Sequence, residues 1–191
     1  MDEDRRRLIN GGAAAGAAAF LPIAAAGQDF ILDPIPALPA KPTRGKPGDF
    51  NFLTGEWRIH NRQIRDGIWT TFPGEATVNA IMGGLGSVED LRIPVRKFGG
   101  MGLRLLDLEA GVWSDFWVNA RSGVLSTPGQ TGSFEDGAGI FVSDDVMDGK
   151  PIKAVGVWDR ISTTTCRWRQ ATSTDGGKTW SQNWIMDWSR V

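Results

Sequence analysis

The chain of 191 residues has one cysteine (Cys166), one histidine (His60) and no tyrosine. A single cysteine excludes an internal disulfide and any cysteine-built zinc or iron–sulfur site. A single histidine excludes a multi-histidine metal site. No G-x-S-x-G nucleophile elbow, Walker loop or dinucleotide fingerprint occurs, and Gly83-Gly84-Leu85-Gly86 lacks the strand–turn–helix setting such a loop needs. Neither charge dominates. Residues 1–26 hold three acidic and three basic residues, and the formal net charge of the whole chain is −1. That balance offers no basic face to nucleic acid and no acidic tail. No amphipathic helical stretch of useful length is present either. What is there, 41% hydrophobic and 23% charged residues, fits one globular domain with a real core and excludes a disordered or collagen-like chain. No metal, cofactor or nucleic-acid partner is expected.

The N-terminal residues read as an address. Arg5-Arg6-Arg7-Leu8-Ile9, followed by a Gly/Ala-rich apolar run to Ala26, resembles a twin-arginine export signal. Ala24 and Ala26 offer a cleavage site that leaves a mature chain near Gly27. Asn10, Gly11, Gly12, Gly16 and Pro22 make a poor transmembrane helix, although a retained anchor is the alternative. The expected destination is the periplasm or secretion, with membrane contact only transient, during export. The sequence does not speak to oligomeric state. Half of the chain's 10 prolines then fall at Pro34, Pro36, Pro39, Pro42 and Pro47. Such a stretch cannot be helix or central strand, so residues 27–48 read as an extended linker, a spacer before a domain at 49–191.

From residue 50 onward, short runs of β-branched and aromatic residues recur about every ten residues, with turn signals between them. The pattern predicts strands near 56–64, 68–72, 75–82, 86–93, 100–107, 111–119, 130–135, 138–143, 151–160, 163–172 and 179–190. Asp66-Gly67, Asp136-Gly137, Asp148-Gly149 and Asp175-Gly176 are hairpin candidates, because a type I′ turn needs φ > 0 at both central residues. With no long crossover, strands pair with their sequence neighbours. Both edges are best satisfied by closure into an antiparallel up-and-down barrel of about eight to ten strands.

The run Asp49-Phe50-Asn51-Phe52-Leu53-Thr54-Gly55-Glu56-Trp57 resembles the opening of the calycin group, which includes the lipocalins and fatty-acid-binding proteins. That resemblance implies that Trp57 plugs the closed end of a barrel, with a basic residue of the last strand, here Arg190, stacked across it. More closely, residues 49–191 resemble a family of uncharacterised exported bacterial proteins known as a domain of unknown function. The resemblance rests on Asp49 to Trp57, Met82 to Gly86, Leu103-Arg104-Leu105, Trp117 to Gly123, and Thr179 to Arg190. It implies a barrel and imports no activity. A related calycin branch holds haem through a histidine near its C-terminal end, whereas His60 falls in the first predicted strand. Ser173 to Trp180 resembles the Asp-box of sialidases and other β-propeller enzymes. A single copy in so short a domain specifies a hairpin and no propeller.

The 9 tryptophans either fill a narrow barrel or border a pocket for a flat ligand. The leading expectation is a barrel that binds a small, mostly apolar or aromatic molecule in its interior. Trp113, Trp117, Trp158, Trp168 and Trp184 are its wall candidates, and Arg104 and Asn119 its orienting groups. An enzyme of the same architecture is the alternative: a cofactor-free lyase, isomerase or hydrolase acting on an aromatic compound. It would use His60 or Asp115 as proton acceptor and Arg104 to steady developing negative charge. A structural or protein-interaction barrel presenting exposed tryptophan is the third reading. Asp144, Asp145 and Asp148 do not have the spacing of a calcium-binding loop and read as a solvated hairpin.

Overall fold

The computed structural model describes residues 32–39 and 43–191. The signal-like segment of residues 1–26 lies outside them. Ten antiparallel strands follow in chain order: β1 (Gly55–Arg65), β2 (Ile68–Ile81), β3 (Gly86–Ile93), β4 (Phe98–Asp107), β5 (Val112–Asn119), β6 (Leu125–Glu135), β7 (Ala138–Met147), β8 (Lys150–Asp159), β9 (Thr165–Ser173) and β10 (Ser181–Arg190). Each pairs with its chain neighbour, and β1 pairs with β10 from Trp57↔Arg190 to Gln63↔Trp184. The sheet is therefore a closed up-and-down barrel with no free edge, and it fits a calycin-like fold.

Three of the four Asp-Gly pairs make the expected left-handed turns. Both residues have positive φ at Asp66-Gly67, Asp136-Gly137 and Asp148-Gly149. Asp175-Gly176 differs, because there the aspartate side chain organises the loop. Its Oδ1 accepts from the Lys178 and Thr179 N–H groups at 3.0 and 2.9 Å, and from the Ser173 hydroxyl at 2.7 Å. These donors hold the Asp175 carboxyl well below the usual carboxylate range, the Thr179 N–H foremost.

Two strand assignments need correction. The segments expected at 68–72 and 75–82 are one strand, β2, running straight through Pro73 and Gly74. Pro73 precedes the stretch paired with β3, which begins at Glu75↔Arg92, so its missing N–H costs no bond on that side. β6 starts five residues earlier than expected, at Leu125, and a register shift opposite Asp115/Trp117 accommodates Pro128 and Gly129.

Period-2 alternation decides the inside. On β1, Trp57, Ile59, Asn61 and Gln63 are buried, while Arg58 and His60 are exposed. One end of the barrel is plugged by the 3-10 turn Asn51–Leu53 and its flanks. Phe50 packs edge-on against Trp113 and Phe134, with centroids 5.0 and 4.9 Å away. Each such pair adds about 0.5–1.5 kcal/mol beyond area burial.

The proline-rich stretch is no free spacer. Residues 32–39 have no regular secondary structure, yet they lie on the outer wall, where Ile35 and Leu38 pack with Trp180 against Val155, Val157 and Ala171. Asp33 bridges Arg160 and Arg167 at 2.7 Å each, and its carbonyl accepts from Arg169 and Gln182 at 2.9 and 2.7 Å. Arg167 and Arg169 converge in turn on Asp159. Further along, Thr43 donates to the Phe134 carbonyl at 2.8 Å, and the Gly45 and Gly48 N–H groups donate to the carbonyls of Gly111 and Gly84. The folded unit thus takes in residues on both sides of Pro42, ahead of the expected start at 49. Residues 32–39 are extended because their prolines lock φ, and they lie on the wall because Ile35 and Leu38 cover a face that would otherwise be wet.

Candidate functional site

Beyond the aromatic plug, the lumen holds a cavity of about 120 Å³. That is the scale of cavities that admit a benzene-sized molecule. Its aromatic wall is made by Trp117 of β5, Trp158 of β8, Trp168 of β9, and Trp184 and Trp188 of β10. Trp168 meets Trp184 edge-on at 5.9 Å, and Trp158 meets Trp188 at 5.5 Å.

The polar part of the wall is built on β3, β4 and β5. Register pairs Glu89 with Gly102, and Arg104 with Asp115. Gly102 leaves the space that these side chains occupy: a Cβ there would stand 3.0 Å from Arg104 Nη2 and 3.2 Å from Glu89 Oε2. Arg104 Nη2 donates to Glu89 Oε2 at 2.5 Å, and Arg104 Nε lies 3.4 Å from Asp115 Oδ1. Its guanidinium carbon is 5.2 Å from the Trp158 ring centroid and 5.3 Å from that of Phe50. Burial alone would lower the Arg104 pKa, but Asp115 and Glu89 outweigh it and hold the guanidinium charged. Asp115 goes the other way. Burial, with Glu89 adding to it, overcomes the pull of Arg104 and raises its carboxyl from 3.8 to about 6.

Five donors on this lining make no hydrogen bond within the protein: Arg104 Nε, which meets Asp115 only as an ion pair, Arg104 Nη1, and the indole N–H groups of Trp117, Trp158 and Trp188. Trp184, by contrast, donates to Asn61 Oδ1 at 3.0 Å. Leaving a buried donor unmade costs about 1–3 kcal/mol each.

The structure thus brings Trp117, Trp158, Trp168, Trp184, Arg104 and Asp115 to one cavity. It places three other candidates elsewhere. Trp113 shares the inward face of β5 but sits at the plug, donating to Asp49 Oδ2 at 3.1 Å, so it is packing and no wall. Asn119 is buried at the end of β5, where its Oδ1 accepts the Arg121 N–H at 2.9 Å. Its amide caps a turn and orients nothing in the cavity. His60 is exposed on the outer face, so it has no route to a substrate held inside. At the plugged end, Arg190 lies over Trp57, 4.3 Å from the ring centroid, while Trp57 donates to the Leu53 carbonyl at 2.6 Å.

Sequence reasoning missed Glu89 and Trp188. Both were open to it, because Glu89 shares its strand face with Leu91 and Ile93, and Trp188 shares its face with Trp184 and Met186. Among the described residues, no three His, Cys, Asp or Glu side chains converge to hold a metal ion. Asp144 pairs with Lys153 at 2.7 Å, and Asp148 belongs to its turn.

No known family and no curated protein matches this sequence. Among solved structures, the chain is similar to a protein of unknown function from the DUF3598 family of Nostoc punctiforme PCC 73102, with 15% identity and a TM-score of 0.44. The match covers 81% of this chain and 53% of that one, so the chain spans about half the length of that protein.

Proposed function

We propose that this barrel binds a small apolar or aromatic molecule in its lumen, as a member of an uncharacterised calycin-like family exported to the periplasm. One observation carries the reading. The lumen is packed with aromatic rings at its plugged end, yet the five-tryptophan wall above leaves a cavity of about 120 Å³. A core built only for stability would close that space, since each cavity forfeits packing energy. The export part rests on the arginine-led segment Arg5 to Ala26 alone.

A second reading, turnover of such a molecule, is favoured by Asp115 and Arg104 sharing the cavity, a half-buried proton acceptor beside a fixed cation. With His60 outside, Asp115 is its one remaining base candidate from the sequence. The interaction-barrel reading finds less support, because none of the tryptophans is exposed.

Native mass spectrometry of the protein recovered from the periplasm of its source tests the proposal. A retained mass of a small aromatic or apolar compound is the expected result. A clean polypeptide mass, together with no binding to a panel of benzene-sized compounds, would overturn it.

A further inference from the structure

The cavity wall is polarised in two ways that bear on what it accepts. Its lining carries several buried donors that make no hydrogen bond within the protein, among them Arg104 Nη1 and the Trp117, Trp158 and Trp188 N–H groups. Arg104 is 4% exposed, and Trp158 and Trp188 1% each, so bulk water does not serve them. Its charges, however, are mainly negative. Glu89, Asp115 and Asp145 line it against one guanidinium, Arg104, which is already engaged by Glu89 and Asp115. The donors ask for an oxygen acceptor, and the carboxylates oppose a ligand that is itself an anion.

We propose that the ligand is an uncharged, ring-bearing compound with a carbonyl-type oxygen. The ring lies among Trp158, Trp168 and Trp184, and the oxygen accepts from Arg104 Nη1 and a neighbouring indole N–H. This rests on the interior-binding reading and narrows it. Aromatic walls reward any flat apolar ring through area alone. A single acceptor atom turns buried, unmade donors into bonds, one of them charge-assisted. A carboxylate would offer acceptors too, but it would bring a third or fourth negative charge beside Glu89 and Asp115.

Three probes of nearly equal shape separate these effects: cumene, acetophenone and benzoate, titrated calorimetrically at pH 8 into the intact protein. Acetophenone should bind about tenfold or more tightly than cumene, the worth of a hydrogen bond to a charged donor, and benzoate more weakly than acetophenone. Trp158→Phe and Trp188→Phe each remove one N–H while keeping an aromatic ring. At least one of them should narrow the acetophenone-to-cumene ratio by about threefold or more. Equal affinities for cumene and acetophenone, or benzoate as the tightest binder, would overturn this inference and leave interior binding standing. Failure of all three to bind would overturn this inference, and interior binding with it where native mass spectrometry also returns a clean polypeptide mass. A ratio unmoved in both Phe variants, with each variant folded by circular dichroism, would remove the indole donors from the proposal.

Discussion

Asp33 reaches across 134 positions of sequence to Arg167, a 2.7 Å ion pair that fastens the proline-rich strap to the outer wall of β9. The pair is uneven. Arg167 is nearly buried and keeps Asp159 as a second partner, whereas the Asp33 side chain is 43% exposed. Arg167, with Arg160 beside it, holds the Asp33 carboxyl below its ordinary value. A depressed carboxylate contributes stability at pH above about 4, and that contribution is lost as pH falls through its folded value.

Asp33→Ala should therefore free the strap with little harm to the barrel. After discounting for exposure, a global cost of about 1 kcal/mol or less is expected, with faster amide exchange confined to residues 32–39 and the Trp180 region they cover. Hydrogen-exchange mass spectrometry at pH 7 reads this directly. Unchanged exchange in the strap would mean that Ile35 and Leu38 hold it without the ion pair.

At the plugged end, Arg190 does more than stack on Trp57. Its guanidinium donates to the carbonyls of Thr54, Phe52 and Thr163 at 2.6, 2.8 and 2.9 Å, tying the entry turn and the β8–β9 connection to the last strand. Arg190→Ala should cost about 2 kcal/mol. Arg190→Lys should recover only part of it, since one ammonium cannot span three divergent acceptors. Urea unfolding followed by tryptophan fluorescence gives both values. A fully rescuing lysine would reduce the role of Arg190 to charge.

Cys166 faces the lumen and is 3% exposed. Burial, reinforced by Glu89, pushes its thiol up to about 12. Because the thiolate is the reactive form, native protein at pH 8 should resist thiol reagents and should label completely in strong denaturant. The labelling rate under native conditions then reports barrel opening. Rapid labelling of the native protein would place Cys166 at the surface.

The strands were legible because the chain alternates cleanly and marks its hairpins with Asp-Gly, and neighbour pairing then leaves little choice but closure. What alternation gives is the face of a strand. It does not give the level along the barrel axis. Trp113, Asp115, Trp117 and Asn119 share one face of β5, yet the first meets the plug, the next two meet the cavity, and the last meets a turn. Level depends on how the strands stagger, which the β5–β6 register shift alters. His60 was open to the same reasoning, since Trp57, Ile59 and Asn61 fix its side as outward. The strap escaped notice because prolines announce an extended chain and say nothing about what it lies on. Its one available signal was Ile35 and Leu38 set among them.

Asp115 supplies the sharpest dependence on pH. In the folded protein, burial and the nearby Glu89 carboxylate raise it to about 6 against the pull of Arg104, while in the unfolded chain it returns near 3.8. Between those values the native state holds a proton that the unfolded state releases. Stability therefore falls as pH rises through this window, and the loss is complete above about 7. For a shift of this size it amounts to on the order of 2–3 kcal/mol. Asp115→Asn keeps an acceptor beside Arg104 and leaves the Arg104–Glu89 pair in place, but it has no charge to desolvate. The variant should thus gain stability relative to the native protein on going from pH 4.5 to pH 7.5. Paired urea titrations at the two values isolate the effect, because every other titrating group is common to both proteins. A stability difference that stays constant with pH would show that Asp115 ionises normally, and it would remove the raised proton acceptor on which the turnover reading depends.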